Sequence, residues 1–143
     1  MSRVHLPQEL RRLVFERARG ICEYCLIPQI CVIISHQVDH VIAIKHGGLT
    51  VLWNLALACV ECNLRKGTDF ATFDQETGEI VLLFDPRTQI WTDHFSLNGA
   101  VLTGLTQTGQ ATISLLQLNS PDRVSQRQGA MDAGLYPPMA QGV

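Results

Sequence analysis

Two short cysteine pairs, Cys22-Glu-Tyr-Cys25 and Cys59-Val-Glu-Cys62, constrain this chain more than any other feature. Two C-x2-C knuckles supply four thiolates, enough to close a tetrahedral zinc site. Two other readings of the pairs stand beside this one: four buried thiols without metal, and a redox pair. The redox pair has the least support, because no βαβ pattern surrounds either knuckle. The chain opens Met-Ser-Arg-Val-His-Leu-Pro and lacks the apolar core of a signal peptide, so a cytoplasmic setting is expected, and disulfides are disfavoured there. The fifth cysteine, Cys31, stands outside both pairs and is expected to be a buried, inert thiol.

Residues 26–58 separate the knuckles, well beyond the roughly 15–20 residues of a compact zinc ribbon. Something folded must therefore sit between them. No cysteine follows Cys62, so a RING-like double site has no ligands, and one zinc at the base of an inserted hairpin is the economical arrangement. The insert begins with the β-branched run Cys31-Val-Ile-Ile-Ser-His-Gln-Val-Asp-His-Val-Ile-Ala-Ile44, which predicts a strand. Gly47-Gly48 marks a loop, and Thr50 to Ala58 returns the chain to the second knuckle. A short helical turn follows from Asn63 and stops at Gly67.

Composition narrows the class. Of 143 residues, 46% are hydrophobic and 17% charged, with a net charge of -2, which excludes a disordered chain. The most apolar stretch, Leu26 to Ile34, carries Pro28 and Gln29 and is far shorter than the ~20 residues of a membrane span, so no membrane association is expected. The charge is uneven: residues 1–67 hold eight Lys/Arg against five acids, and residues 68–143 hold three against eight. A basic part in an acidic chain is consistent with a surface that meets phosphate.

Four polar groups stand in this apolar insert: Asp39, His40, Asn54 and Asn63. Adjacent Asp39 and His40 at a strand end put a carboxylate and an imidazole beside one another. A carboxylate and an amide oxygen can both ligate a hard cation such as Mg2+. An imidazole titrating near neutrality can take a proton from water.

The run Val38-Asp39-His40-Val41, with Gly47-Gly48, Asn54-Leu55, Cys59-x-x-Cys62-Asn63 and Lys66-Gly67, closely resembles the HNH endonucleases, the ββα-metal or His-Me finger nucleases. The resemblance implies an α+β fold: a ββα-metal core stapled by a four-cysteine zinc through Cys22, Cys25, Cys59 and Cys62. It implies His40 as general base, Asp39 and Asn63 as ligands of a catalytic divalent metal, and Asn54 as the brace of the loop between the strands. Asn63 stands where the family usually has His, an H-N-N pattern whose oxygen donors favour Mg2+ or Mn2+. The implied chemistry is attack of water on a DNA phosphodiester, leaving 5′-phosphate and 3′-hydroxyl ends. Lys45, Arg65 and Lys66 are candidates for phosphate contact. The rival expectation is a non-catalytic zinc module that binds nucleic acid or protein.

The organisation expected is an N-terminal helix within 1–19, a nuclease core at 20–68, an α+β extension at 69–127 and a flexible tail at 128–143. Leu6, Leu10, Leu13, Val14 and Phe15 give the first helix an apolar face directed at the zinc core, with Arg11, Arg12, Arg17 and Arg19 outward. In the extension, Asp74 to Glu79 predicts a turn and Ile80 to Phe84 a strand. Ile90 to Phe95 and Ala100 to Leu105 flank the hairpin signal Asn98-Gly99, and Gly109 to Leu118 has a helical pattern. Trp91, Asp93 and His94 have no visible partners for a second site, and packing is expected of them. His36 could share a strand face with His40 and assist the site, but packing or solvent contact is the favoured expectation for it; His46, in the loop before Gly47-Gly48, is expected either to contact DNA or to lie on the loop surface.

Overall fold

The computed structural model describes residues 5–138. Helix α1 (Gln8–Ala18) follows Pro7 and ends where Arg19 and Gly20 turn left-handed, at φ 56° and 70°. The first knuckle closes next. The chain then reaches strand β1 (Gln37–His40), loops through residues 41–54, and pairs back as β2 (Leu55–Ala58) before the second knuckle opens helix α2 (Val60–Lys66). β1 and β2 are antiparallel, with Val38 opposite Leu57, Asp39 opposite Ala56 and His40 opposite Leu55. The result is a ββα unit inside an α+β fold.

All of β2, Leu-Ala-Leu-Ala, is buried, and its period-2 alternation divides it between two cores. Leu55 and Leu57 join Val14 and Ala18 of α1, with Leu6, Leu10, Phe15 and Val38 around them. Ala56 and Ala58 face the other way, into the larger core that holds the cysteines, Tyr24, Ile27, Phe84, Phe95 and Leu116. The first helix therefore packs on the hairpin's far face and not, as expected, on the core that holds the cysteines. Its Arg17 is not simply outward: Nη1 donates to the Leu52 carbonyl at 2.8 Å, and Nη2 donates to that of Leu55.

The strands of the insert are shorter than the β-branched run suggests. Residues 26–36 form a loop with a 3-10 turn at Gln29–Cys31, tied by Gln29, whose Oε1 accepts from His36 N–H and whose Nε2 donates to Ile34 O. Cys31 is only half-buried there, and Ile33 and Ile34 are exposed. Beyond His40, Val41 to Ile44 leaves the ladder because the Asn54 side chain takes both backbone groups of Ile42.

The extension holds two hairpins. β3 (Ala71–Asp74) pairs with β4 (Glu79–Leu82), a partner strand the sequence reading lacked, across a turn in which Asp74 Oδ1 accepts from Glu76 N–H at 2.9 Å. β5 (Phe95–Asn98) pairs with β6 (Val101–Gly104) around Asn98-Gly99. The expected strand at 90–95 is instead one helical turn, α3 (Trp91–His94), leading into β5. Trp91 packs on Phe95 and donates from Nε1 to the Tyr24 carbonyl at 2.9 Å. Nδ1 of His94 lies 2.6 Å from Thr106 Oγ1.

Helix α4 (Gln107–Leu116) is capped by Thr106 and packs on β3, β4, β6 and α2. Helix α5 (Pro121–Asp132) then runs back over the cysteine core. Residues 128–132, expected within a flexible tail, belong to this helix, and Tyr136 beyond it is buried, its hydroxyl donating to Cys25 O at 2.7 Å. The helix escaped the apolar-pattern reading because its buried face is Arg123, Arg127 and Ala130. Residues 139–143 of the expected tail lie outside the described residues. Among the described residues no helix is long and apolar enough to cross a membrane.

Candidate functional site

The four sulfurs of Cys22, Cys25, Cys59 and Cys62 converge, all within 4.8 Å of one another and buried. Tetrahedral zinc with Zn–S bonds of about 2.3 Å sets neighbouring sulfurs ~3.8 Å apart. The Cys25 and Cys59 sulfurs lie 3.7 Å apart, so the cluster fits the ion. Each knuckle also turns a backbone N–H onto its first sulfur: Cys25 N–H to Cys22 Sγ at 3.5 Å, and Cys62 N–H to Cys59 Sγ at 3.4 Å. These amides stabilise negative sulfur. The cluster joins the loop before β1 to the start of α2, and so sets the helix against the hairpin.

That placement creates a second polar cluster. Gln37 and Asp39 lie two apart on β1 and share its α2-facing side, while Asn63 and Lys66 lie three apart on α2 and share a helix face. The two faces meet: Asn63 Nδ2 donates to Gln37 Oε1, and Lys66 Nζ sits 3.2 Å from Asp39 Oδ2 and 3.4 Å from Oδ1. Tyr24 donates its hydroxyl to Asp39 Oδ2 at 2.8 Å. Asp39 is 4% exposed and Lys66 2% exposed. Burial pushes the Asp39 carboxyl above the usual aspartate value, against the opposing pull of Lys66 and Tyr24.

Lys66 is therefore not placed for phosphate contact. Its ammonium is spent inside the protein, on Asp39, on the His40 carbonyl at 3.2 Å and on the Val41 carbonyl at 3.1 Å. The sequence suggested a surface charge because lysine is seldom buried. Its aliphatic stem crosses the apolar interface, and three donors find three acceptors at the far end. Lys45 and Arg65 are exposed; Arg65 pairs with Glu61 one helical turn back at 3.5 Å.

His40 points to the other side of β1 from Asp39, since adjacent strand residues alternate faces. Its imidazole is half-buried, with Nε2 2.9 Å from Thr50 Oγ1. Burial pulls the imidazole pKa below its usual 6.5 and the Lys66 charge adds to this, while the Asp39 charge works against it. Thr50 went unnoticed in the sequence, because only the path of loop 41–54 brings it across to His40.

Asn54 holds that path. It is buried; its Oδ1 accepts from Ile42 N–H at 3.0 Å, and its Nδ2 donates to Ile42 O at 3.0 Å and Leu49 O at 2.9 Å. Gly48 allows the approach: a Cβ there would lie 1.7 Å from Ile42 O and 2.9 Å from Asn54 Nδ2. Gly47, at φ 93°, closes the preceding 3-10 turn Ile44–His46. His46 is exposed and meets Phe70 edge-on, with ring centroids 5.2 Å apart. His36 takes no part in the cluster: it is buried, with Nε2 2.9 Å from the Ile27 carbonyl.

One carboxylate and one amide oxygen form the donor set of a hard divalent cation, so Asp39 and Asn63 fit Mg2+ or Mn2+ by chemistry. The charge around them is less accommodating, because the cation that Asp39 carries is Lys66.

These features define a ββα domain with a buried four-cysteine cluster and a histidine held at the end of its first strand. The family model described as HNH endonuclease matches residues 22–69, the segment that contains both knuckles, His40, Asn54 and Asn63. Neither curated proteins nor solved structures give a match to the chain.

Proposed function

We propose that this chain is a metal-dependent endonuclease that hydrolyses phosphodiester bonds in DNA, with His40 as the general base. The observation that carries the reading is the setting of His40: a half-buried imidazole at the end of β1 whose Nε2 lies 2.9 Å from Thr50 Oγ1, with its pKa lowered by burial. In the tautomer whose Nε2–H donates to Thr50 Oγ1, the lone pair is on Nδ1, where it can accept a proton from water. The loop pinned by Asn54 and Gly48 holds Thr50 beside the ring and so fixes its orientation.

Asp39 and Asn63 would hold the divalent ion, Mg2+ or Mn2+. When bound, it supplies positive charge to the phosphoryl transition state and the departing 3′ oxygen. For Asp39 to serve, Lys66 must give up its contacts of 3.2 and 3.4 Å with the carboxylate; its bonds to the His40 and Val41 carbonyls can remain. His40 takes one proton of the attacking water, the water oxygen bonds to phosphorus as the P–O3′ bond breaks, and the departing 3′ oxygen takes a proton from solvent, leaving a 5′-phosphate and a 3′-hydroxyl. Exposed Lys45 and Arg65 are the residues offered to DNA phosphates.

The test is nicking of supercoiled plasmid by zinc-loaded protein, with and without Mg2+ or Mn2+, beside His40→Ala of verified zinc content and fold. Metal-dependent nicking lost in the variant, by ~10²-fold or more for removal of a general base, is expected. Intact plasmid, single-stranded DNA and RNA would favour the second reading, a non-catalytic zinc module that binds nucleic acid or protein. The Lys66 ammonium on Asp39 is the observation on that side.

A further inference from the structure

Arg123 lies on α5, in the extension, yet it reaches the cysteine cluster 61 residues earlier in the chain. Its Nη2 is 2.9 Å from Cys62 Sγ and 3.5 Å from Cys59 Sγ, and its Nη1 donates to the Leu116 carbonyl at 2.8 Å. The side chain is 5% exposed. A guanidinium is always charged and can only donate, and burying it without a counter-charge is costly.

Among the described residues, Arg123 forms no ion pair with a carboxylate. The groups that can balance it are the sulfurs. Its neighbour one helical turn on, Arg127, shows the contrast. Arg127 is also buried, but it donates to the carbonyls of Ala100 and Leu118 and to Asn119 Oδ1, all neutral acceptors that tie loops together. Arg123 gives Nη1 to a carbonyl and turns Nη2 onto two cysteines. Its Nε is buried and has no partner among the described residues, so the side chain is not placed to satisfy all its own donors.

Four thiolates around one Zn2+ carry a net charge of about −2, and this centre is buried. We propose that Arg123 is an outer ligand of the zinc centre. It donates to the Cys62 and Cys59 thiolates, offsets part of their charge, and makes the packing of α5 depend on the loaded metal. The inference rests on the four-cysteine cluster being a zinc site. Groups that hydrogen-bond metal ligands from outside typically change metal affinity by about 10–100-fold. Tyr136, donating to Cys25 O at 2.7 Å, fastens the end of the same segment to the first knuckle. Residues 121–136 are thus tied to both knuckles, through Arg123 to Cys59 and Cys62 and through Tyr136 to Cys25.

The experiment measures zinc content by elemental analysis, then the rate of zinc transfer to a colorimetric chelator, for the full chain and for Arg123→Met and Arg123→Lys. Arg123→Met keeps the stem and loses the charge; Arg123→Lys keeps the charge but cannot span both sulfurs and the Leu116 carbonyl. The expected result is one zinc per wild-type chain and release about 10–100-fold faster in Arg123→Met, with Arg123→Lys between. Hydrogen exchange of α5 in the wild type, before and after zinc removal, supplies a readout that needs no variant. Its amides should lose protection with the metal. Wild-type release rates in a folded Arg123→Met, or α5 protection unchanged on zinc removal, overturn the role of Arg123. A wild-type chain that takes up no zinc overturns the zinc reading itself, and the two failures are told apart by the stoichiometry.

Discussion

Replacing Lys66 by Met keeps the stem that crosses the α2–hairpin interface and removes only the ammonium. Three acceptors then lose their donor: the Asp39 carboxylate and the carbonyls of His40 and Val41. Asp39 keeps the Tyr24 hydroxyl and little else, at 4% exposure. Breaking a buried ion pair on one side typically costs about 3–5 kcal/mol, because the remaining charge is stranded. At roughly 3 °C per kcal/mol for a chain of this size, the melting temperature should fall by about 10 °C or more at pH 7.

The pH dependence has a definite sign. Asp39 already binds its proton above the usual aspartate value through burial, and Lys66 opposes that shift. Without Lys66 the folded-state pKa rises further. The folded variant then holds a proton that the unfolded chain releases, so its stability deficit is greatest above that raised pKa. The deficit shrinks as pH falls through it toward the unfolded value.

The same variant also asks whether a divalent ion takes the seat of the ammonium. If Asp39 and Asn63 hold Mg2+, the ion competes with Lys66 in the wild type and meets no rival in Lys66→Met. Millimolar Mg2+ should then raise the variant's melting temperature by more than the wild type's, since ligand stabilisation grows with affinity. Thermal melts of both proteins at pH 5, 6 and 7, with and without Mg2+, decide it. A variant as stable as the wild type at pH 7 would refute the buried-pair account. Equal Mg2+ shifts in the two would refute competition for Asp39.

Three further expectations follow from the loop and the histidine. Gly48→Ala places a methyl 1.7 Å from Ile42 O, so the loop must move off Asn54. Nicking should fall at least tenfold while zinc content stays at the wild-type level, measured by plasmid assay and elemental analysis on the same sample. The pH–rate profile should show its acid limb below 6.5, because burial lowers the His40 pKa and the base works only when neutral. A limb above 6.5 would contradict that environment. Thr50→Val removes the partner of Nε2 without changing side-chain shape much. It should lower kcat with little change in KM, and Thr50→Ser should restore most of the loss; a change confined to KM would argue against a role in holding the imidazole.

What was legible in the sequence is what short-range chemistry encodes. The knuckles declare themselves by spacing, and cysteines three residues apart in such a turn bring their sulfurs together. Asn98-Gly99 announced the β5–β6 hairpin, and the apolar period announced α1 and α4. Partners set by long-range packing were not legible. Thr50 meets His40 only because Asn54 and Gly48 fold the intervening loop, and nothing at position 50 marks it. Lys66 reads as a surface charge until α2 is laid on β1, when its position three residues after Asn63 faces it toward Asp39. Helix α5 was missed because it buries arginines: a scan for apolar residues takes Arg123 and Arg127 for a solvated face, whereas they are the residues that bind the extension to the core.

β2 explains why the site needs both halves of the molecule. Its leucines anchor the hairpin to α1, on the side toward which His40 turns; its alanines leave room on the opposite side for the cysteines and Tyr24, where Asp39 lies. The base and the proposed metal ligands thus stand on two faces of one two-stranded sheet, too small to be stable alone. Loosening α1 should therefore disturb His40 before Asp39, and loosening α5 or the four-cysteine cluster should do the reverse. Val14→Ala, a cavity beneath Leu55 and Leu57, should lower nicking while zinc release stays at the wild-type rate. If Val14→Ala accelerates zinc release as much as Arg123→Met does, the two cores unfold as one, and the division of labour across β2 is wrong.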